Sequence, residues 1–337
     1  MPIIENSTYT PPWWLHGKHM QSMYPRMFRR VPQPEYEIQR IPTPDGDFLD
    51  LDITQSLPHN GRLVILSHGM EGNSKREYIW GMARAFRLEG WNILAWNFRS
   101  CGTGINRQPR LYHCADLDDI GTVIAYARKL QYTRILLLGF SMGGNITLNY
   151  LGTFAGDLPE EILGGIAFSV PCDLADCSRR LDTGFNKVYR RVFLSSLQNK
   201  IRQKNKILPE IYSVDGLAQV KTLRDFDRKY TAPIHGFLSA EDYYNKGSCA
   251  HVLEKITRPT LLVNALNDPF LSPKCFPTEA ARNSRYLYLE TPREGGHVGF
   301  ALPGALYWSE RRALEFAGEH YMQPHRSAVW AIQDLNL

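Results

Sequence analysis

The chain has 337 residues, 43% of them hydrophobic and 22% charged, with a formal net charge of +5. This profile fits a globular protein with a sizeable core, and it excludes a bilayer-spanning chain, because no apolar run approaches the roughly 20 residues a crossing helix needs. The mild positive charge is not gathered into an arm that grips nucleic acid, so none is expected as a partner.

The start, Met1-Pro2-Ile3-Ile4-Glu5-Asn6, lacks a basic segment followed by an apolar one, so a cytoplasmic setting is expected. Six cysteines, Cys101, Cys114, Cys172, Cys177, Cys249 and Cys275, are scattered without C-x-x-C spacing. Neither a zinc site nor a disulfide framework is therefore expected, and the thiols read as reduced and mostly buried.

In chain order, residues 36–41 and 47–53 alternate apolar with polar around the turn Pro44-Asp45-Gly46, which predicts a hairpin at a sheet edge. Strand-like and helix-like stretches then alternate: strands at 62–66 and 91–96, helices at 75–89 and 116–130, a strand at 134–139, a helix from 142, and a strand at 162–170. The helix at 116–130 places Leu117, Ile120, Ile124 and Ala127 on one face, and Asp116, Asp118 and Asp119 suit the positive end of its dipole.

From 171 to 255 the sequence is helical, charged and irregular before strands return at 259–264 and 285–289 and a helix at 307–321. The pattern predicts an α/β fold with a mostly parallel central sheet flanked by helices. Residues 36–170 and 256–325 form the core, 171–255 a helical cap insertion, and 1–35 an N-terminal arm.

Within the cap, residues 187–206 carry Tyr189, Phe193, Leu197 and Ile201 at every fourth position, with Lys187, Arg190, Arg191, Lys200, Arg202 and Lys204 between them. This is an amphipathic helix that packs its apolar face and solvates its charges, or that transiently touches an anionic membrane surface. In the arm, residues 11–15 and 20–24 either pack on the sheet or form an apolar acyl-binding rim or membrane-contact edge.

The chemistry centres on Gly139-Phe140-Ser141-Met142-Gly143, a G-x-S-x-G pentapeptide between the apolar run 135–138 and a helix. A sharp strand-to-helix turn exposes the serine hydroxyl, which makes Ser141 the candidate nucleophile. A serine needs a base, an orienting acid and oxyanion donors. His297, in Gly295-Gly296-His297-Val298-Gly299, follows the last strand and is the candidate base. Asp268, in Asn267-Asp268-Pro269 after the strand at 259–264, is the candidate acid; Asp173 competes for that role, and helix capping is the bland alternative for Asp268. The backbone N–H groups of Met142 and of Met70, in His68-Gly69-Met70-Glu71-Gly72, are the candidate oxyanion donors.

His68 itself reads as structural, tying that loop down. Arg110 and His113 read as fixing their loop rather than meeting a head group. Asp225 and Asp227 have no metal-ligand company and read as structural or solvated. No metal and no cofactor is expected.

The run Asp45-Gly46-Asp47-Phe48-Leu49-Asp50-Leu51-Asp52, then His68-Gly69-Met70-Glu71-Gly72-Asn73-Ser74-Lys75, Asn97-Phe98-Arg99-Ser100-Cys101-Gly102, Asn106-Arg107 to Tyr112-His113, Phe226-Asp227-Arg228-Lys229-Tyr230-Thr231-Ala232-Pro233 and Asp242-Tyr243-Tyr244 resembles the YheT-like esterases of the α/β-hydrolase superfamily. These motifs span nearly the whole chain. One departure is Ser100, where relatives usually have glycine in Asn-Phe-Arg-Gly.

The resemblance implies an α/β-hydrolase fold with a small helical cap, and carboxylic ester hydrolysis by Ser141, Asp268 and His297. The expected substrate is a small ester with an apolar acyl group, either a short- to medium-chain acyl ester or a monoacylglycerol-like lipid. Acyl transfer by the same triad and a non-catalytic α/β-hydrolase-fold binding protein are the alternatives.

Overall fold

The computed structural model describes residues 3–54 and 60–321. The first two positions of the expected arm, residues 55–59 and the tail from 322, including the end of the expected core, lie outside the described residues.

Nine strands form one sheet: β1 (Ile3–Ile4), β2 (Glu37–Pro42), β3 (Phe48–Thr54), β4 (Arg62–Ser67), β5 (Asn92–Asn97), β6 (Arg134–Phe140), β7 (Ile162–Phe168), β8 (Thr260–Val263) and β9 (Leu287–Glu290). Their order is β1-β9-β8-β7-β6-β4-β5-β3-β2. The pairs β2/β3 and β3/β5 are antiparallel, and the remaining neighbours are parallel. The helices are α1 (Lys18–Phe28), α2 (Glu77–Leu88), α3 (Asp118–Lys129), α4 (Met142–Thr153), α5 (Leu174–Leu181), α6 (Asn186–Asn205), α7 (Leu223–Phe226), α8 (Ala232–Ile234), α9 (Ala240–Gly247), α10 (Thr278–Asn283) and α11 (Trp308–Tyr321).

The two-residue period of a strand explains the layers. In β4 and β6, Leu63, Ile65, Ile135 and Leu137 point into a core shared with α3 and α4. Val64, Leu66, Leu136 and Leu138 point into a second core shared with α2 and α11. Both faces are covered, so these central strands are continuously apolar. Each fully buried aliphatic side chain contributes about 2 kcal/mol of transfer free energy. A third, smaller cluster, including Leu194, Ile201, Tyr212 and Phe226, lies within the helices between β7 and β8 and closes onto Leu111 and Phe270.

The mostly parallel sheet and the hairpin follow the sequence reading, with element ends moved by a few residues. The arm is more structured than its sequence suggested: β1 pairs parallel with β9, and α1 packs beside α2.

Helix α6 corrects the reading of its charges. Lys200 and Lys204 are buried rather than solvated. Lys204 Nζ donates to the carbonyls of Asn106 (2.8 Å) and Gln108 (2.5 Å). Burial pushes its ammonium down to about 8.

Likewise, four of the scattered cysteines lie close together. Cys177 Sγ is 3.4 Å from Cys275 Sγ, whose residue also receives a contact from the Cys172 thiol, and Cys172 in turn has a side-chain hydrogen bond with Cys249. All six are buried and free. Among the described residues no helix is long and apolar enough to cross a membrane.

Candidate active site

Strand β6 ends at Phe140, and α4 begins at Met142 with only Ser141 between them. Ser141 has φ 52° and ψ −119°, a strained conformation for a residue with a side chain. Close packing imposes the turn. A Cβ on Gly143 would run into the backbone carbonyls of Ser67 and His68, and one on Gly139 would run into the backbone of Gly143. The elbow is pinned by Ser141 N–H donating to Phe168 O (2.8 Å).

The three triad candidates meet in line. His297 Nε2 lies 2.9 Å from Ser141 Oγ, and His297 Nδ1 lies 2.8 Å from Asp268 Oδ2. Opposite a carboxylate, Nδ1 is the donor, which leaves Nε2 to accept the serine proton. Asp268 is 2% exposed, and its other oxygen accepts the N–H of Phe270 (2.8 Å). The Phe270 ring lies against the imidazole, centroids 4.2 Å apart. Asp173, the competing acid, instead caps α5 by accepting from Asp176 N–H and faces Lys274 (3.4 Å).

The His297 loop is strained, with Val298 at φ 55° and Phe300 at φ 42°. It is held by groups that sequence reasoning missed. From α1, Gln21 Oε1 accepts from Gly295 N–H (3.0 Å) and from Asn267 Nδ2 (2.8 Å). Ser22 Oγ accepts from His297 N–H (2.8 Å). From the end of β7, Ser169 Oγ accepts from Val298 N–H (2.9 Å). Polar residues in a methionine-rich arm carry no spacing signal that would have found them.

The candidate oxyanion loop follows β4. A Cβ on Gly69 would stand 3.2 Å from Ser141 Cβ, so the loop lies against the candidate nucleophile. Met70 and Met142 both line the adjoining cavity, and neither N–H donates to another described residue.

His68 is structural, as its sequence context suggested: Nδ1 bonds Gly69 O (2.7 Å) and Nε2 accepts from Phe98 N–H (3.1 Å). Burial drives its pKa down to about 3, so it stays neutral. Next to Met70, Glu71 (φ 56°) is gripped from α6. Lys200 Nζ meets its carboxylate at 2.6 Å and Cys101 Sγ at 3.0 Å, and Ser196 and Tyr112 hydroxyls donate to the same carboxylate.

The cavity holds about 460 Å³ and is lined largely by apolar side chains, including Leu174, Phe193, Leu197, Phe226 and Phe270. It also receives polar groups that the sequence left in structural roles. His113 is buried, its Nδ1 has no hydrogen-bond partner among the described residues, and its ring meets that of His235 at 4.3 Å. Asp227 accepts from Thr231 Oγ1 (2.7 Å) and Tyr244 Oη (2.8 Å). Burial outweighs those bonds and raises its pKa to about 6. Asp225, by contrast, forms a capping box with Thr222, and Arg110 bonds Asp116 (2.8 Å). Among the described residues no cluster of three or more histidine, cysteine or carboxylate side chains could hold a metal ion.

A strand-elbow-helix serine, a histidine loop after the last strand and an aspartate after the strand before it define the α/β-hydrolase superfamily. The family model described as alpha/beta hydrolase fold matches residues 62–302. YheT of Escherichia coli strain K12 is 34% identical over 289 residues, 84% of each chain. The human Phospholipase ABHD3 is 27% identical over 308 residues, 89% of this chain and 75% of its own. The structure of the Pyrococcus furiosus esterase PF2001 superposes with a TM-score of 0.58 at 17% identity, covering 88% of this chain and 99% of that one. The chain belongs to the YheT-like esterase family of the α/β-hydrolase superfamily.

Proposed function

We propose that this chain is a serine carboxylic ester hydrolase working through an acyl-enzyme on Ser141. The observation that carries the reading is the hydrogen-bonded line from Ser141 through His297 to Asp268. The names of its relatives, esterase and phospholipase, support the reaction class.

In this mechanism His297 Nε2 takes the hydroxyl proton as Ser141 Oγ bonds the ester carbonyl carbon. The carbonyl electron pair moves onto oxygen, where the N–H groups of Met70 and Met142 hold it. Collapse breaks the bond to the alcohol oxygen, which leaves with the proton from His297. Water then repeats the sequence on the acyl-enzyme, releasing the acid and restoring Ser141. Asp268 keeps Nδ1 protonated and stabilises the imidazolium. The scheme requires no cofactor.

The apolar cavity supports an acyl group of short to medium length, or the chain of a monoacylglycerol-like lipid, as the part that is buried. The test is turnover of p-nitrophenyl esters of increasing chain length by wild type and Ser141→Ala. The expected outcome is a loss of at least about a thousandfold in kcat with an unchanged unfolding transition; retention of most activity overturns the reading. Product analysis with a competing alcohol is expected to give free acid rather than a new ester.

A further inference from the structure

Helix α1 is amphipathic the wrong way round. Its polar Gln21 and Ser22 face inward, holding the His297 loop, with Pro25 buried beside them. Its apolar residues Met20, Met23, Tyr24, Met27 and Phe28 recur at helical spacing on the other side, where Met20, Met27 and Phe28 are exposed. The stripe is extended by Trp14, whose ring lies 4.9 Å from Tyr24, and Tyr24 in turn lies 5.2 Å from Phe28. Trp13 alongside is 83% exposed.

A second exposed stripe, Phe185, Val188 and Val192, runs along the start of α6. His19 joins the two, its ring 4.6 Å from that of Phe185 and its Nδ1 3.3 Å from Tyr189 Oη. The combined patch flanks the active-site cavity, which is lined from these helices by Pro25, Arg26, Val192 and Phe193.

The unpaired charge that α1 and α6 bring to this patch is positive. Between Glu5 and Glu35 there is no acidic residue, and α6 contains none. Arg26 is paired with Glu77 (2.7 Å) and Arg190 with Asp182 (2.8 Å). Lys18, Arg30, Lys187 and Arg191 are exposed without an ion pair to a described residue. A protein partner would have to bring its own acidic rim to such a face. An anionic lipid surface offers both requirements at once, an apolar layer for tryptophan, methionine and phenylalanine and phosphate charge for the lysines and arginines.

We infer that the exposed faces of α1 and the start of α6 dock on anionic lipid surfaces and turn the mouth of the cavity toward the lipid. The inference draws its purpose from the hydrolase reading, since an apolar ester would then reach Ser141 without crossing water. The docking itself needs no catalysis.

The test is co-sedimentation of Ser141→Ala protein with phosphatidylcholine vesicles, with and without phosphatidylglycerol. Binding is expected to the mixed vesicles, to fall with salt, and to be at least about tenfold weaker to the neutral ones. Trp13→Ser with Trp14→Ser, and Lys18→Glu with Lys187→Glu and Arg191→Glu, are each expected to weaken binding by at least about tenfold. In the background with Ser141 intact, the same substitutions are expected to leave turnover of a soluble ester unchanged. Tryptophan emission quenched by brominated lipids reports the same contact without any substitution.

No binding by folded protein, binding insensitive to both sets of substitutions, or a dimer that those substitutions dissolve would each overturn the proposal. Failure of the hydrolase reading appears separately, as an absence of soluble-ester turnover in the wild type.

Discussion

Gln21 and Gly295 lie 274 positions apart in sequence and share a hydrogen bond of 3.0 Å. The same side-chain oxygen accepts from Asn267, and its amide nitrogen donates to Leu15 O (3.1 Å), so one fully buried side chain ties α1 to the loops that carry Asp268 and His297. Gln21→Ala leaves several buried polar groups unpaired and is expected to cost about 1–3 kcal/mol of stability. Ser22→Ala removes the acceptor for His297 N–H together with a hydroxyl that donates to Lys18 O (2.6 Å) within α1. It is expected to lower kcat about tenfold with little change in KM, because it loosens a group that acts in the transition state. Thermal unfolding and steady-state kinetics on a soluble ester check both.

Lys200 and Glu71 form a buried ion pair beside Met70. Burial alone would lower the Lys200 pKa, but Cys101 and Glu71 outweigh it and hold the ammonium charged, with a raised pKa. Lys200→Met strands the carboxylate and is expected to destabilise the fold by about 3–5 kcal/mol. Glu71→Gln combined with Lys200→Met is expected to recover most of that loss, because no uncompensated charge remains. Urea unfolding of the single and double variants measures the coupling.

Gly143→Ala is expected to destabilise by at least about 1–3 kcal/mol, because the new methyl group meets the backbone of Ser67 and His68, which cannot rotate away. The yield of soluble protein and its unfolding midpoint give the readout. Turnover should fall as well, since relief of the clash has to move the elbow.

The features that were legible in the sequence share a cause. The run 135–138, the pentapeptide and the glycines around His297 are local patterns whose geometry follows from strand period and steric contact. The illegible ones depend on contacts made across the chain. Gln21 and Ser22 matter because α1 lands on the His297 loop, and nothing in a helix of methionines announces that. Lys200 and Lys204 look solvated in a basic helix until the loop carrying Asn106 and the carboxylate of Glu71 close over them. The departure at Ser100 is also clear only in three dimensions. It sits at φ 63°, where glycine is at ease, and its hydroxyl compensates by bonding Asn106 Oδ1 at 2.5 Å.

Asp227 gives a pH signature. Its carboxyl is raised from 3.8 to about 6 by burial, against the bonds from Thr231 and Tyr244. The folded protein therefore holds this proton more tightly than the unfolded chain. Its contribution to stability is fully present below pH 3.8 and is lost as pH rises through about 6. The stability of wild type minus that of Asp227→Asn should decline across that window and level off at higher pH, as measured by denaturant unfolding at a series of pH values.

The proposed ester hydrolysis requires Ser141 to be the nucleophile. Its most direct test is the intact mass of the protein after treatment with a fluorophosphonate, followed by peptide mapping. One phosphonyl adduct is expected on Ser141, none on folded Ser141→Ala, and slow labelling of His297→Ala. Intact, folded wild type that gains no adduct, or gains one at another residue, would contradict it.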